Sequence, residues 1–189
     1  GAPALALAME KGDPDIMERP PRPKSESIVH GPMRLGIVIQ TIMQTGAVLT
    51  AFIIGLYWTI AEQLPPGQNP LAAVLQFDWK GVDVQTAETM AFVTLSLCEL
   101  FRAYTVRSER TSVFKLGVFS NKYMQYAVLL SITLTLAVVI VPFLQPIFNT
   151  HMPTAQEWVV IFVLATLPAI AEEITKFFLR RQGKKAVAV

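Results

Sequence analysis

The sequence predicts an all-α, multi-pass membrane protein with four transmembrane helices and both termini on the cytoplasmic side. Three observations carry that prediction. Apolar residues make up 52% of the 189 residues and charged residues 16%, below the roughly 25% charge of a soluble domain. The charges are also unevenly placed, with none from Leu35 to Ala61 and none from Tyr123 to Gln156. Each gap exceeds the ~20 residues that cross a ~30 Å hydrocarbon core at about 1.5 Å per residue. A soluble helix of that length would need a polar face, which these runs lack. Finally, Lys and Arg number five before Leu35, five from Arg102 to Lys122 and five from Lys176 to Lys185. Only Lys80 lies outside these clusters. Under the positive-inside rule that partition demands four crossings, because three would strand one basic cluster outside.

The first span reads as about 33–60. Pro32 suits its first turn, where the missing N–H costs nothing, and Tyr57 and Trp58 lie at its far end, where amphipathic rings prefer the interface. The second reads as about 86–106, although Glu88, Glu99 and Arg102 interrupt it. The third, about 122–144, ends at Pro142 and Pro146. The fourth, about 156–180, opens on Thr154 and Glu157, the spacing of a capping box, and contains Pro168, a kink site. Residues 1–32 read as a cytoplasmic Pro-rich loop, 33–182 as the transmembrane domain and 183–189 as a frayed cytoplasmic tail. The outer connections are an acidic loop over 61–85 and a tight turn over 143–153.

An acid inside a span is expensive and is a functional candidate for that reason. Glu99 is that acid, and Ser96 lies one turn earlier on the same face. A carboxylate beside a hydroxyl offers hard oxygen ligands of the kind that Ca²⁺ and Mg²⁺ take. The alternative is structural: Glu99 pairs with Arg102 and both lean to the interface. Glu172 and Glu173 read as a salt-bridged inner rim with Lys176 and Arg180. Ala47, Ala51 and Gly55 form a small-xxx-small stripe that invites close contact with a helix outside this segment. Gln40 and Gln44 need partners in hydrocarbon. His30 and His151 read as isolated and exposed. Cys98 is the only cysteine, so no internal disulfide forms. The sequence holds no Gly-rich phosphate loop, no Cys/His metal spacing and no nucleophile with an evident base. No secretory signal opens it, and with no initiator Met it reads as a piece of a longer protein.

Two strings carry a resemblance. Pro3-Ala4-Leu5-Ala6-Leu7-Ala8 followed by Asp15-Ile16-Met17-Glu18-Arg19-Pro20-Pro21-Arg22 closely resembles P-type cation ATPases of the calcium-pump (type IIA) branch, between the sixth and seventh transmembrane helices. Glu99-Leu100-Phe101-Arg102-Ala103-Tyr104 resembles the eighth helix, Ser120-Asn121-Lys122 the entry to the ninth, and Leu167-Pro168, Glu173-Ile174 and Lys176-Phe177 the tenth. The resemblance implies helices seven to ten of a ten-helix pump, matching the four spans read from charge.

It further implies that Glu99 stands where two-site calcium pumps place a glutamate ligand, with Ser96 a weaker candidate. Arg102 departs from the uncharged residue often found there. The function implied is the C-terminal membrane part of an ATP-driven calcium pump, a translocase. The segment alone lacks the phosphorylation and nucleotide-binding domains and is not expected to be active. No cofactor belongs to it; Ca²⁺ is the transported ion, and absent domains use ATP and Mg²⁺. Its partners are the remainder of the pump and the lipid bilayer, with no nucleic acid, in a bacterial plasma membrane. A pump for Na⁺, Mn²⁺ or H⁺, or a non-catalytic four-helix scaffold or regulator, is the alternative.

Overall fold

A computed structural model describes residues 1–12, 16–18, 21, 29, 31–64, 69–76, 81–108 and 111–187, and no strand occurs among them. Four long helices dominate: α2 (Gly31–Gln63), α4 (Gln85–Thr105), α6 (Lys122–Ile140) and α8 (Ala155–Val187). Short helices join or precede them: α1 (Ala2–Ala6), α3 (Pro70–Leu75), α5 (Val113–Leu116) and α7 (Gln145–Phe148).

The helix boundaries follow local chemistry. At the start of α8 the capping box closes both ways. The Thr154 N–H donates to Glu157 Oε2 at 3.1 Å, and the Glu157 N–H donates to Thr154 Oγ1 at 3.4 Å. Asn121 caps α6 by accepting from the Met124 N–H at 3.1 Å. Val141, the residue before Pro142, is extended (ψ 116°) and stops α6, because the proline ring disfavours helical backbone at the preceding position. Pro168 is fully enclosed inside α8, which continues unbroken past it. The helix also runs beyond Gln182 to Val187, where the sequence suggests a frayed tail. Gly183 alone costs about 1 kcal/mol of helix propensity, and no proline follows to end the helix. The opening 1–32 segment, read as a loop, begins with α1 and a 3₁₀ turn over Leu7–Met9.

α2, α4 and α8 pack against one another as a three-helix core, with Ala51, Met90, Val93, Leu97, Ile161 and Ala165 at its centre. Partner registers fix their directions. Gly55 of α2 lies against Ala87 of α4, and Gln44 bonds Glu99, so the two run antiparallel. Cys98 reaches the Ala165 carbonyl and Thr105 reaches Glu172, so α4 and α8 run parallel. α6 packs only along one side, against α4 and α1. It leaves Leu129, Leu130, Leu134 and Ile140 exposed, and it is long and apolar enough to cross a membrane.

Two expectations change here. The small-residue stripe finds its partner inside the chain: Ala47, Ala51 and Gly55 are buried, and a Cβ on Gly55 would stand 2.8 Å from Ala87 Cα. The spacing of small residues signals close approach but carries no information about which helix approaches. Second, three helices among the described residues, not four, are long and apolar enough to cross a membrane by composition: Met33–Gln63, Lys122–Ile140 and Ala155–Leu179. α4 has the length, but Glu88, Glu99 and Arg102 set it apart.

Candidate functional site

Glu99 stands on the exposed ridge of α4 between two grooves. The first, about 350 Å³, runs between α2 and α4 and is lined by Thr41, Gln44, Thr45, Leu95, Glu99 and Arg102. The second, about 590 Å³, is bounded by the start of the chain, α4 and α6, and carries Ser96, Ser131 and Thr135 beside Glu99 and Arg102. Gln44 Nε2 donates to Glu99 Oε1 at 2.6 Å. That bond fixes one carboxylate oxygen and gives Gln44 the partner its place in a charge-free run requires. Ser96 and Thr41 donate their hydroxyl protons to the carbonyls of Phe92 and Ile37 in their own helices, each at 2.9 Å. Their oxygens therefore keep lone pairs for other donors or a cation.

Ser96 and Glu99, paired by the sequence, do line one groove. The alternative pairing of Glu99 with Arg102 is not made: among the described residues, no ion pair links them although both line the same grooves. Neither do three His, Cys, Asp or Glu side chains converge anywhere among the described residues to hold a metal. A Ca²⁺ ion takes six to eight oxygens, and one carboxylate supplies two at most. The chain alone can furnish part of such a shell.

Gln40, by contrast, is 4% exposed and its amide atoms have no partner among the described residues. Thr94 Oγ1 is likewise enclosed and unpaired.

Three polar clusters hold the helix ends. At the α8 inner end Lys176 Nζ lies 3.2 Å from Glu173 Oε1 and 3.8 Å from Glu172 Oε1, and also donates to the Thr105 carbonyl. Thr105 Oγ1 donates to Glu172 at 2.6 Å. This is the salt-bridged rim read from the i, i+4 spacing; the Arg180 side chain lies outside the described residues. At the opposite end His151 is half-buried rather than exposed. Its Nε2 sits 3.0 Å from Glu157 Oε2 and its Nδ1 3.2 Å from Thr89 Oγ1. Sequence spacing concealed this, since the tight turn after α6 folds the ring back onto α4. His30 lies outside the described residues.

The third cluster was invisible in the sequence. The Arg107 side chain is 0% exposed and forks onto Glu10, with Nη2 2.7 Å from Oε1 and Nε 2.9 Å from Oε2. It also donates to the Gly117 and Val118 carbonyls at 3.0 and 3.3 Å and to Ser120 Oγ. Asn121 Nδ2 donates to Glu10 at 2.9 Å and to the Ala6 carbonyl at 3.2 Å. The hydrogen bond from Arg107 holds the Glu10 carboxyl below its ordinary value of 4.5, outweighing partial burial, with Asn121 assisting. A depressed carboxylate contributes stability above its unfolded pKa and loses it as pH falls through the folded value. The part of the stability that Glu10 contributes should therefore be constant from pH 7 down to about 4.5 and then fall. Glu10→Ala, which strands a buried guanidinium, should cost about 3–5 kcal/mol at neutral pH and make the acid-side drop shallower. An unchanged pH profile in the variant would argue against the clamp.

Comparison with known proteins places these elements in context. A family profile described as cation transporting ATPase, C-terminus, matches residues 1–178. Calcium-transporting ATPase 1 of Bacillus cereus is 31% identical over 182 residues, covering 92% of this chain and 19% of the relative. Calcium-transporting ATPase of Bacillus subtilis is 33% identical over 168 residues, 89% of this chain and 16% of the relative. Calcium-transporting ATPase type 2C member 2 of Mus musculus is 28% identical over 178 residues, 94% of this chain and 17% of the relative. The chain thus spans less than a fifth of the length of these relatives.

Proposed function

We infer the role of this chain from one premise: it belongs to the family of cation-transporting ATPase C-termini. It is the C-terminal membrane region of a calcium-transporting P-type ATPase, and its partner is the remainder of that pump. The observation that carries the reading further is Glu99, a carboxylate in a membrane helix, held by Gln44 and opening on grooves that this chain does not fill. A charge left in hydrocarbon is costly. The absent helices give that carboxylate its surroundings, and the other ligands of the oxygen shell come from them. Glu99 contributes one ligand to the transported Ca²⁺, with Ser96 Oγ beside it. ATP and Mg²⁺ act on the missing cytoplasmic domains, whose phosphorylation switches access to the ion.

All four long helices cross the membrane. Support for α4 comes from its place between α2 and α8, which shields much of it from lipid, and from the basic-residue partition. Both termini and the loop after α4 are cytoplasmic, with the segment that carries α1 before the spans and the last turns of α8 beyond them. A bacterial plasma membrane is its location, supported by the Bacillus relatives. The test is ATP-driven accumulation of ⁴⁵Ca²⁺ by vesicles bearing the full-length protein. In those vesicles a cysteine at Thr111 should label from the ATP side and one at Gln76 from the other. No uptake, or labelling of both from one side, would refute the reading.

A further inference from the structure

In the described part of the loop between α4 and α6, residues 111–121, several backbone groups are tied inward while two aromatic rings are turned out. Val113 is buried, and its N–H points to Glu173 Oε1 at 3.5 Å. Gly117 turns the chain with φ +82°, a conformation that side chains rarely adopt. Its carbonyl accepts from Arg107 and from Ser120 Oγ, and the Val118 carbonyl accepts from Arg107 and Gln125. With the backbone so engaged, Phe114 and Phe119 are each 79% exposed. Tyr123 and Tyr126, on the first turns of α6, are also exposed.

Among the described residues, the charges near these rings that have no ion-pair partner are both positive. Arg107 is neutralised by Glu10 and Lys176 by Glu172 and Glu173. Lys115 and Lys122 are exposed, and among the described residues neither has an ion-pair partner. Two free ammonium groups flanking two bare phenyl rings, at the end of a lipid-facing helix, match one surface chemically. Rings partition into the acyl boundary, tyrosines stay at headgroup level and lysines meet phosphates.

We propose that this loop is a docking surface for anionic phospholipid in the leaflet it emerges into, with Phe114 and Phe119 entering the acyl boundary and Lys115 and Lys122 binding headgroup phosphates. The proposal rests on the reading that α4 and α6 both cross the membrane. The Arg107 clamp supports the surface by holding the Gly117 and Val118 carbonyls inward, between the two rings in sequence.

The test uses the full-length protein in nanodiscs, where both leaflets are accessible, with Phe119→Trp as reporter and the parent protein as background. Brominated phosphatidylglycerol, titrated into phosphatidylcholine discs, should quench the new fluorescence. It should do so at a mole fraction roughly 25-fold lower than brominated phosphatidylcholine does, about fivefold for each lysine. Lys115→Gln with Lys122→Gln should shrink that preference by roughly fivefold per lysine, while Lys115→Arg with Lys122→Arg should keep it. Absence of lipid quenching would mean another part of the protein covers the rings, and would overturn the proposal. Equal quenching by both lipids with the lysines intact would reduce the surface to an unselective aromatic belt and overturn it too. A wrong topology would appear separately, in the labelling of Thr111, because disc quenching does not depend on sidedness.

Discussion

Glu99→Gln in the full-length protein is expected to raise the Ca²⁺ concentration for half-maximal phosphorylation from ATP by about tenfold or more, equivalent to at least roughly 1.4 kcal/mol of binding. The substitution keeps the shape of the side chain and a carbonyl oxygen for Gln44 to donate to, so the 2.6 Å contact across α2 and α4 survives. What disappears is one negative charge from an oxygen shell whose affinity follows ligand charge. Arg102 supplies the control. It lines the same grooves without an ion pair to Glu99, so Arg102→Gln should leave the affinity close to wild type. Combining it with Glu99→Gln should not rescue. Restoration by the double change would mean that Glu99 exists to neutralise Arg102, and unchanged affinity in Glu99→Gln would remove it from the ion site.

Gly55→Leu should separate α2 from α4. A Cβ there would meet Ala87 Cα at 2.8 Å, the Ala87 nitrogen at 3.1 Å and the Met90 sulfur at 3.0 Å. Two of those neighbours are backbone and cannot rotate away, so the helices themselves must move. Overpacking a core costs about 1–3 kcal/mol, and a backbone clash belongs at or beyond the upper end. Gly46→Leu is the matched control, since a Cβ there meets nothing within 4 Å. Thermal unfolding of the full-length protein, followed by size-exclusion chromatography after heating, should place Gly55→Leu well below Gly46→Leu. Equal midpoints would count against a tight contact.

These two positions show how far the sequence could be read. Helix ends were legible wherever a short-range rule sets them, as at the Thr154–Glu157 capping box and at Pro142. Glu99 was legible as a candidate because a charge in an apolar run is locally anomalous. Its partner was not, since the contact with Gln44 spans 55 residues and depends on the register between two helices. Gly55 failed in the same way: close approach was evident and the identity of the neighbour was not. Arg107 gave no signal at all. A basic residue just past a span looks like an ordinary topology determinant, and only the fold reveals that its guanidinium is enclosed.

The Arg107–Glu10 clamp also has a consequence for how the chain is made. Its halves are 97 residues apart, so at about 5–20 residues per second Glu10 leaves the ribosome roughly 5–20 seconds before Arg107. Throughout that interval Glu10 has no Arg107 guanidinium to meet. On the four-span reading the clamp closes only once α4 has crossed, since an inverted α4 would carry Arg107 to the opposite face. On that reading a chain that misthreads its second hairpin is left with an unmatched Arg107 on one face and an unmatched Glu10 on the other.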